Sequence, residues 1–360
     1  IHNCTPWEPG LESSIAAFGF QEPSKSWKDF ISLANFTDFK KLYPNFFSNL
    51  LDLSARSHNA DLGLHNLERF VVNFKEKEHL FTQLSESKHL LESLICLFSG
   101  SQILTDSLLS EPSHINWLSE PNILNEPKSK DILMRDFYEM AGNDFHKNTT
   151  SKLLRKFKKR EYIRIGLRDL LGTVELMETV GDISNLADVC LQIAYEKADR
   201  DLKKKHGIPS YKDSDENWQV SEFAVIGMGK LGGQELNYSS DIDLIYIYTS
   251  SHGETRPEPS NKSEVITLTN HEYFSKLAQQ ITNYINEITD EGNVFRVDLD
   301  LRPDGPSGEI ASSLASCETY YQSWGKTWER QAMIKARVSA GSDSLGREFF
   351  GMMEPFIYRR

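Results

Sequence analysis

Two aspartates one residue apart, Asp241 and Asp243, stand at the start of a short apolar stretch, and a glycine-rich segment precedes them. Residues i and i+2 of a strand project from the same face, so a strand here presents both carboxylates side by side. Two unpaired carboxylates repel each other, and binding of a divalent cation relieves that repulsion. Glycines allow a backbone to come close to a phosphate group. Residues 224–248 therefore predict metal-assisted chemistry on a nucleotide.

A second acidic segment, residues 294–301, predicts another strand, with Asp298 and Asp300 on one face and apolar side chains on the other. If this strand lies beside the first, Asp298 joins Asp241 and Asp243. Three carboxylates can hold one or two Mg²⁺ ions, with Mn²⁺ as the alternative, and leave open positions for phosphate oxygens. Such ions neutralise charge at a transferred phosphorus.

The glycine-rich segment also fits the spacing of the dinucleotide-binding fingerprint, because residues 227–232 read GMGKLG. That fingerprint requires a full helix after the turn and an acidic residue roughly twenty residues later. Here only a short polar segment separates the glycines from Asp241 and Asp243. The spacing therefore excludes a dinucleotide-binding dehydrogenase.

The elements that must position these residues fall into three predicted regions of an α+β protein. Residues 1–215 predict a helical region, residues 216–318 a catalytic domain with a small mixed sheet, and residues 319–360 a helical segment that begins a further domain. Residues 210–218 are polar and predict a linker, and residues 328–338 predict a helix. The apolar side chains that define two N-terminal helical stripes are Leu64, Leu67, Phe70 and Val71, and Leu90, Leu91, Leu94 and Leu97.

The composition of the 360 residues describes a globular protein, with 39% hydrophobic and 26% charged residues. A formal net charge of −12 argues against broad nucleic-acid binding. The four cysteines have no CxxC spacing, which is typical of reduced cytoplasmic thiols. No apolar run predicts a membrane span or a signal peptide. The chain begins with Ile1 and ends in a helical-looking context, which predicts a piece of a longer protein.

Three segments resemble successive signatures of one bacterial family, the glutamine synthetase adenylyltransferase/adenylyl-removing enzymes. They read GMGKLGGQELNYSSDIDLIYIY, RVDLDLRPDGPSG and YYQSWGKTWERQAMIKAR, within residues 223–340. The family belongs to the DNA polymerase β-like nucleotidyltransferases, so the resemblance implies that fold for residues 216–318. One half of such a protein attaches AMP to a tyrosine of glutamine synthetase. The other half removes it by phosphorolysis and releases ADP.

The resemblance implies that Asp241, Asp243 and Asp298 are the metal-binding carboxylates. The expected nucleotide- and phosphate-binding residues are Gly229, Lys230, Gly232, Ser240 and Arg302. Alternatively, Lys230 is a solvated loop lysine without a phosphate contact. For Arg302, the alternative is that it only stabilises its own loop. Asp300 departs from the family, which commonly has arginine there, and we expect it to be a charge partner of Arg296 or Arg302.

The direction of AMP transfer is predicted from ELNYSSDIDLIY and WERQAMIKAR, which look more like the adenylyl-removing half. The transferase half more usually has a histidine where Arg330 stands. The alternatives are ATP-dependent adenylylation of glutamine synthetase and a non-catalytic nucleotide-binding module of the same fold. The partners implied are adenylylated glutamine synthetase, ADP or ATP, phosphate and a PII-type signal protein, in the cytoplasm, without nucleic acid or membrane.

Overall fold

The computed structural model describes residues 15–36, 45–120, 122–142, 149–257 and 266–358. Two compact units divide the chain: unit 1 comprises residues 1–127 and 159–179, and unit 2 comprises residues 128–158 and 180–360. The three regions predicted from the sequence do not coincide with these units. Within the described ranges, no helix is both long and apolar enough to span a membrane.

In the described part of the chain, ten α-helices precede the first strand. Their bounds are α1 Pro23–Asn35, α2 Phe46–Arg56, α3 Ala60–Asn73, α4 Lys77–Glu86, α5 Lys88–Gly100, α6 Gln102–Ser110, α7 His114–Leu118, α8 Lys130–Ala141, α9 Thr150–Leu170 and α10 Leu176–His206.

Unit 1 is built around the packing of α3 against α5. The two predicted apolar stripes are confirmed, because all eight side chains lie on these two helices and are almost completely buried. Asn59 and Ser87 begin the helices by accepting hydrogen bonds from backbone N–H groups of the first turn. Stripes of period 3.6 thus form the core of this unit.

Unit 2 carries the remaining elements and two small sheets. The elements are β1 Ile208–Lys212, β2 Trp218–Val220, β3 Phe223–Gly227, α11 Gly229–Gly232, β4 Ile242–Tyr248, β5 Glu254–Arg256, α12 Asn270–Asn286, β6 Val297–Asp298, β7 Ala311–Ser313, α13 Leu314–Ser323, α14 Thr327–Met333, β8 Arg337–Gly341 and α15 Asp343–Ile357.

The larger sheet is mixed and has the order β6-β4-β3-β8, with β7 also beside β4. Strands β3 and β4 are antiparallel, as are β3 and β8. Strands β6 and β7 are both parallel to β4, β6 at its start and β7 at its end. The smaller sheet, β2-β1-β5, is antiparallel. The predicted α+β class with a small mixed sheet is confirmed.

The core beside the larger sheet explains why β3 and β4 read as continuous apolar runs. All five residues of β3 are buried, and so are most of those in β4. Side chains of β3 and β4, including Ile226 and Ile247, share one cluster with Cys317 and Phe349 from the helices that follow. A central strand is buried on both faces and therefore carries no polar alternation.

The predicted strand over residues 294–301 is wrong except at Val297 and Asp298. Before it, the N–H groups of Val294 and Phe295 both donate to the carbonyl of Ile285 at the end of α12. After it, the N–H of Arg302 donates to the carbonyl of Leu299 and closes a turn. These local hydrogen bonds replace a longer ladder.

Two further predictions are wrong because strands form in the segments concerned. The predicted helix over residues 328–338 ends at Met333, and β8 then pairs with the otherwise open edge of β3. That pairing joins positions far apart in the chain, so it leaves no local sequence pattern. The predicted linker at residues 210–218 instead contains the end of β1, which pairs with the nearby β2.

Candidate active site

The start of β4 places the paired aspartates at one end of the larger sheet. Asp241 directly precedes the strand and is exposed, whereas Asp243 lies on it and is half-buried. Ile242 and Leu244, on the alternate positions, are completely buried. The apolar alternate positions therefore anchor the strand, and the two carboxylates share its other face.

Strand β6 brings Asp298 beside Asp243, as the sequence predicts. The two strands are parallel, with Ile242 opposite Val297 and Asp243 opposite Asp298, and the N–H of Ile242 donates to the carbonyl of Arg296 at 2.9 Å. The pKa of Asp243 is raised by burial and then by the negative charges of Asp298 and Asp241. The three carboxylates thus lie within electrostatic reach of one another.

The donor set fits a divalent cation, because three carboxylates offer only hard oxygen ligands. Their side chains are not arranged as a closed metal site: in the described part of the chain, no group of three or more His, Cys, Asp or Glu residues could hold an ion as it stands. Asp241 forms an ion pair with Arg296. Asp298 accepts a hydrogen bond from the N–H of Asp300 at 2.7 Å. Cation binding requires these carboxylates to exchange partners.

Arg296 was missed as a site residue, although its place two residues before Asp298 was visible in the sequence. The expected pairing of Asp300 with Arg296 or Arg302 is not found, because Arg296 pairs with Asp241. The Arg296–Asp241 pair is largely exposed, with 65% and 45% of the two side chains accessible. Such exposed pairs contribute little stability, so a cation can displace Arg296.

The glycine turn of α11 lies directly against Asp243. Gly229 has a φ of +52°, and a β-carbon there would lie 2.2 Å from Oδ2 of Asp243. A β-carbon at Gly232 would lie 2.5 Å from the carbonyl oxygen of Lys335. The N–H of Met228 donates to the carbonyl of Asp243 at 2.9 Å. Both predicted glycines are therefore required by close approach, Gly229 also by its backbone conformation.

Lys230 and Ser240 lie together beside the carboxylates. The ammonium group of Lys230 donates to Oγ of Ser240 at 3.0 Å, and that hydroxyl donates to Oδ1 of Asn237 at 2.6 Å. The positive charge of Lys230 lowers the pKa of Asp243, opposing the larger upward effects. Lys230 thus places an exposed cation within reach of the carboxylates, on the side of the glycine turn.

Arg302 braces its own loop. Its guanidinium donates to the carbonyl of Leu299 at 2.9 Å, to that of Pro306 at 3.0 Å and to that of Gly308 at 3.2 and 3.3 Å. The alternative reading of this residue matches these contacts. Because the guanidinium is engaged with backbone oxygens, the geometry gives no support to a phosphate contact.

A second missed residue, Lys335, holds the far side of the glycine turn. It forms an ion pair with Glu235, which follows the turn. The sequence reading placed Lys335 on a helix, where it had no reason to meet Glu235. No local signal could have found this contact, since the two residues are a hundred positions apart.

Comparison with known proteins assigns this chain to a family. Residues 91–352 match the glutamate-ammonia ligase adenylyltransferase family. This chain belongs to that family. Every residue of the predicted site lies within the matched range, and so does the whole of the larger sheet.

Several curated relatives of this adenylyltransferase family share the same name, bifunctional glutamine synthetase adenylyltransferase/adenylyl-removing enzyme. The protein of Pseudomonas aeruginosa is 38% identical over 270 residues, which are 75% of this chain and 26% of that protein. That of Nitrosococcus oceani is 38% identical, with 75% and 27% covered. That of Psychromonas ingrahamii is 34% identical over 304 residues, with 83% and 30% covered. The chain thus spans between a quarter and a third of the length of these relatives.

Arg330, on which the predicted direction of AMP transfer partly rests, lies on α14 of this adenylyltransferase-family chain. Its guanidinium lies over the ring of Phe356, 5.3 Å from the ring centroid. The neighbouring Glu329 is buried and accepts a hydrogen bond from the hydroxyl of Tyr320 at 2.9 Å. These contacts pack side chains around α14. They do not involve the site carboxylates Asp241, Asp243 and Asp298.

Proposed function

We propose that this chain is a metal-dependent nucleotidyltransferase that removes AMP from the adenylyl-tyrosine of glutamine synthetase by phosphorolysis. Its role would be the control of nitrogen assimilation in the cytoplasm. The observation that carries the proposal is the register of β4 and β6, which sets Asp243 opposite Asp298 next to Asp241. Membership of the adenylyltransferase family supplies the substrate class.

The proposed reaction exchanges one phosphorus–oxygen bond for another. An oxygen of inorganic phosphate forms a bond to the adenylyl phosphorus, and the bond from that phosphorus to the tyrosine oxygen breaks. The electron pair leaves on the tyrosine oxygen, which then takes up a proton, and ADP is released. Phosphate is partly ionised at neutral pH, so no strong general base is assigned to the protein.

The residues of the site would act by charge and by position. A divalent cation held by Asp241, Asp243 and Asp298, Mg²⁺ or Mn²⁺, would neutralise charge on the phosphoryl oxygens. Lys230 would add a point charge, with Ser240 orienting its ammonium group. Gly229 would let the backbone of the turn lie against Oδ2 of Asp243, where a β-carbon would collide with that oxygen.

The direction of transfer is supported by the sequence segments around Asp241 and Arg330. The relatives' name covers both directions, so ATP-dependent adenylylation is the alternative outcome. A PII-type signal protein is proposed as a partner on the family resemblance.

The test incubates the chain with adenylylated glutamine synthetase, Mg²⁺ and phosphate, and measures ADP release. A parallel reaction contains unmodified glutamine synthetase and ATP and measures incorporation of AMP. We expect ADP release that depends on phosphate and disappears with EDTA. AMP incorporation without ADP release would show that the chain attaches AMP. Binding of ADP with neither reaction would show that the chain is a non-catalytic nucleotide-binding module.

The variant Asp241→Asn should reduce turnover at least about a hundredfold, the usual scale for loss of one preorganised electrostatic group. The fold should persist, because Asp241 is exposed and its pair with Arg296 contributes little stability. The measurement is the rate of ADP release. Asp300→Asn is the matched control and should retain activity, since Asp300 contacts Asp298 through its backbone N–H. Retained phosphorolysis in the Asp241 variant would disprove the metal site.

A further inference from the structure

Arg337, the first residue of β8, joins a buried carboxylate to the glycine turn. One guanidinium nitrogen donates to Oδ2 of Asp188 at 2.6 Å, and the other donates to Oδ1 at 3.1 Å. The second nitrogen also donates to the carbonyl of Leu231 at 2.9 Å. One planar group therefore contacts both α10 and α11, and its two-nitrogen fork holds both oxygens of Asp188.

Asp188 is placed to hold that guanidinium in one orientation. Its side chain is 1% exposed on α10 and also forms an ion pair with Lys130. A buried carboxylate is strongly disfavoured unless it is paired and hydrogen-bonded. The two-point contact with Arg337 satisfies both of its oxygens, so rotation of the guanidinium would break the hydrogen bond that the buried Oδ1 accepts from it.

Arg337 adds a charged donor to a carbonyl near the end of the short helix α11. That helix has only four residues, and the carbonyl of Leu231 also accepts a hydrogen bond from the N–H of Gln234 at 3.1 Å. The guanidinium of Arg337 is thus a further donor to the same carbonyl, from outside the turn. Gly229 in the same turn lies against Oδ2 of Asp243. A displacement of the turn would therefore change the space between Gly229 and that carboxylate.

We propose that Arg337, held by Asp188, is a positioning residue that fixes the glycine turn against Asp243 and thereby sets the affinity for the nucleotide. The inference deepens the proposed function, since it assumes that the glycine turn and Asp243 bind a nucleotide. Arg337 acts through the carbonyl of Leu231 and does not itself touch the nucleotide.

The decisive variant is Arg337→Lys, because it keeps the positive charge beside Asp188 but loses the two-nitrogen contact with Asp188 that orients the donor to Leu231. If Arg337 is only an ion-pair partner, the lysine variant should keep the wild-type stability of the turn and the wild-type affinity for ADP. If Arg337 positions the turn, the lysine variant should lose both. Asp188→Asn is the second variant, since it leaves Arg337 in place but removes the charge that orients it. Asp201→Asn is the matched control, an aspartate on the same helix that pairs with buried Lys197.

The first readout is hydrogen–deuterium exchange of the peptide covering residues 227–236. The amides of Gly232, Gly233 and Glu235 are hydrogen-bonded within the turn, so they report its opening. We expect faster exchange in Arg337→Lys and Asp188→Asn, and wild-type exchange in Asp201→Asn. This readout needs neither turnover nor nucleotide.

The second readout is the dissociation constant of ADP with Mg²⁺, measured by calorimetry on the full chain. Loss of one charge-assisted hydrogen bond to the turn should weaken ADP binding about tenfold in Arg337→Lys. Faster turn exchange with weaker ADP binding supports the proposal. Wild-type exchange and affinity in Arg337→Lys would overturn it. If the wild-type chain binds no ADP, the proposed function fails, and the exchange experiment still decides whether Arg337 holds the turn.

Discussion

At the scale of single residues, Asp243 is the site carboxylate whose ionised form the folded protein disfavours. It is half-buried and lies near Asp298 and Asp241, and each of these effects raises its pKa. A raised carboxyl pKa means that the folded protein disfavours the ionised form, which a bound cation would stabilise. Without a cation, the ionised carboxylate therefore destabilises the fold at neutral pH.

The variant Asp243→Asn should raise the melting temperature of the metal-free protein at pH 7, because it removes the disfavoured charge. The same change should abolish metal binding and turnover. Thermal unfolding in EDTA measures the first effect and calorimetry with Mg²⁺ the second. Asp300→Asn is the control and should give no such gain, since Asp300 is not among the charges that raise the pKa of Asp243. A lower melting temperature for Asp243→Asn would contradict this account.

Gly229→Ala tests the contact between the turn and the carboxylate. Alanine at a φ of +52° costs about 1–2 kcal/mol, and its β-carbon would displace Asp243. We expect a lower free energy of unfolding and weaker binding of Mg²⁺ and ADP. Gly351→Ala is the control, because nothing lies within 4 Å of that position on α15. A Gly229 variant that binds both ligands normally would rule out the contact.

At the scale of secondary structure elements, α12 carries the chain to β6 and is held at both ends. A capping box of Thr269 and Glu272 begins the helix. Near its end, the buried guanidinium of Arg155 donates to the carbonyl of Gly292 at 2.7 Å and also to that of Glu287. These contacts fix the turn that leads to Asp298. Arg155 therefore has a structural role at the end of α12.

The capping box predicts a pH dependence. The N–H and hydroxyl groups of Thr269 lower the pKa of Glu272 in the folded protein. A lowered carboxyl pKa contributes stability above the unfolded value of 4.5, and this stability is lost as the pH falls through the folded pKa. Glu272→Ala should therefore be less stable than wild type at pH 7, with a smaller difference at pH 3. Denaturant unfolding at both values measures this.

Glu348→Ala, an exposed glutamate on α15, is the control for the capping box. It removes a surface carboxylate without a cap and should change the stability little at either pH. Equal effects of the Glu272 and Glu348 variants at pH 7 would mean that the capping box adds nothing.

At the scale of the whole molecule, each of the two units contains fully buried apolar side chains. Leu97 is fully buried in unit 1, and Leu244 is fully buried in unit 2 directly after Asp243. Removing a buried leucine side chain costs about 2–5 kcal/mol through lost burial and the cavity left behind. The site residues all belong to unit 2, so the two cores should differ in their effect on ligand binding.

Leu97→Ala should destabilise unit 1 by about 2–5 kcal/mol and leave ADP binding unchanged. Leu244→Ala should lower both stability and ADP affinity, because it loosens the strand that carries Asp243. Scanning calorimetry measures the first property and titration with ADP and Mg²⁺ the second. Loss of ADP binding in Leu97→Ala, at a temperature where the variant is folded, would show that the units are coupled.

The sequence by itself determined the features that depend on short spacings. The local periodicity of apolar and polar residues predicts the apolar stripes of α3 and α5 and the buried runs of β3 and β4. The same periodicity places Asp241 and Asp243 on one strand face. The glycine turn was also predictable, because its residues are contiguous. The adjacency of Asp298 to Asp243 was predicted by assuming that two acidic strands lie together, and the register of β4 and β6 confirms it.

Tertiary structure alone decided which distant groups meet. Strand β8 pairs with β3, Arg296 with Asp241, and Arg337 with Asp188 and the turn at Leu231. Each of these contacts joins positions far apart in the chain, and their residue types fit many other partners equally well. Charge and hydrogen-bonding capacity are local properties of a residue, whereas the choice of partner depends on how the whole chain packs.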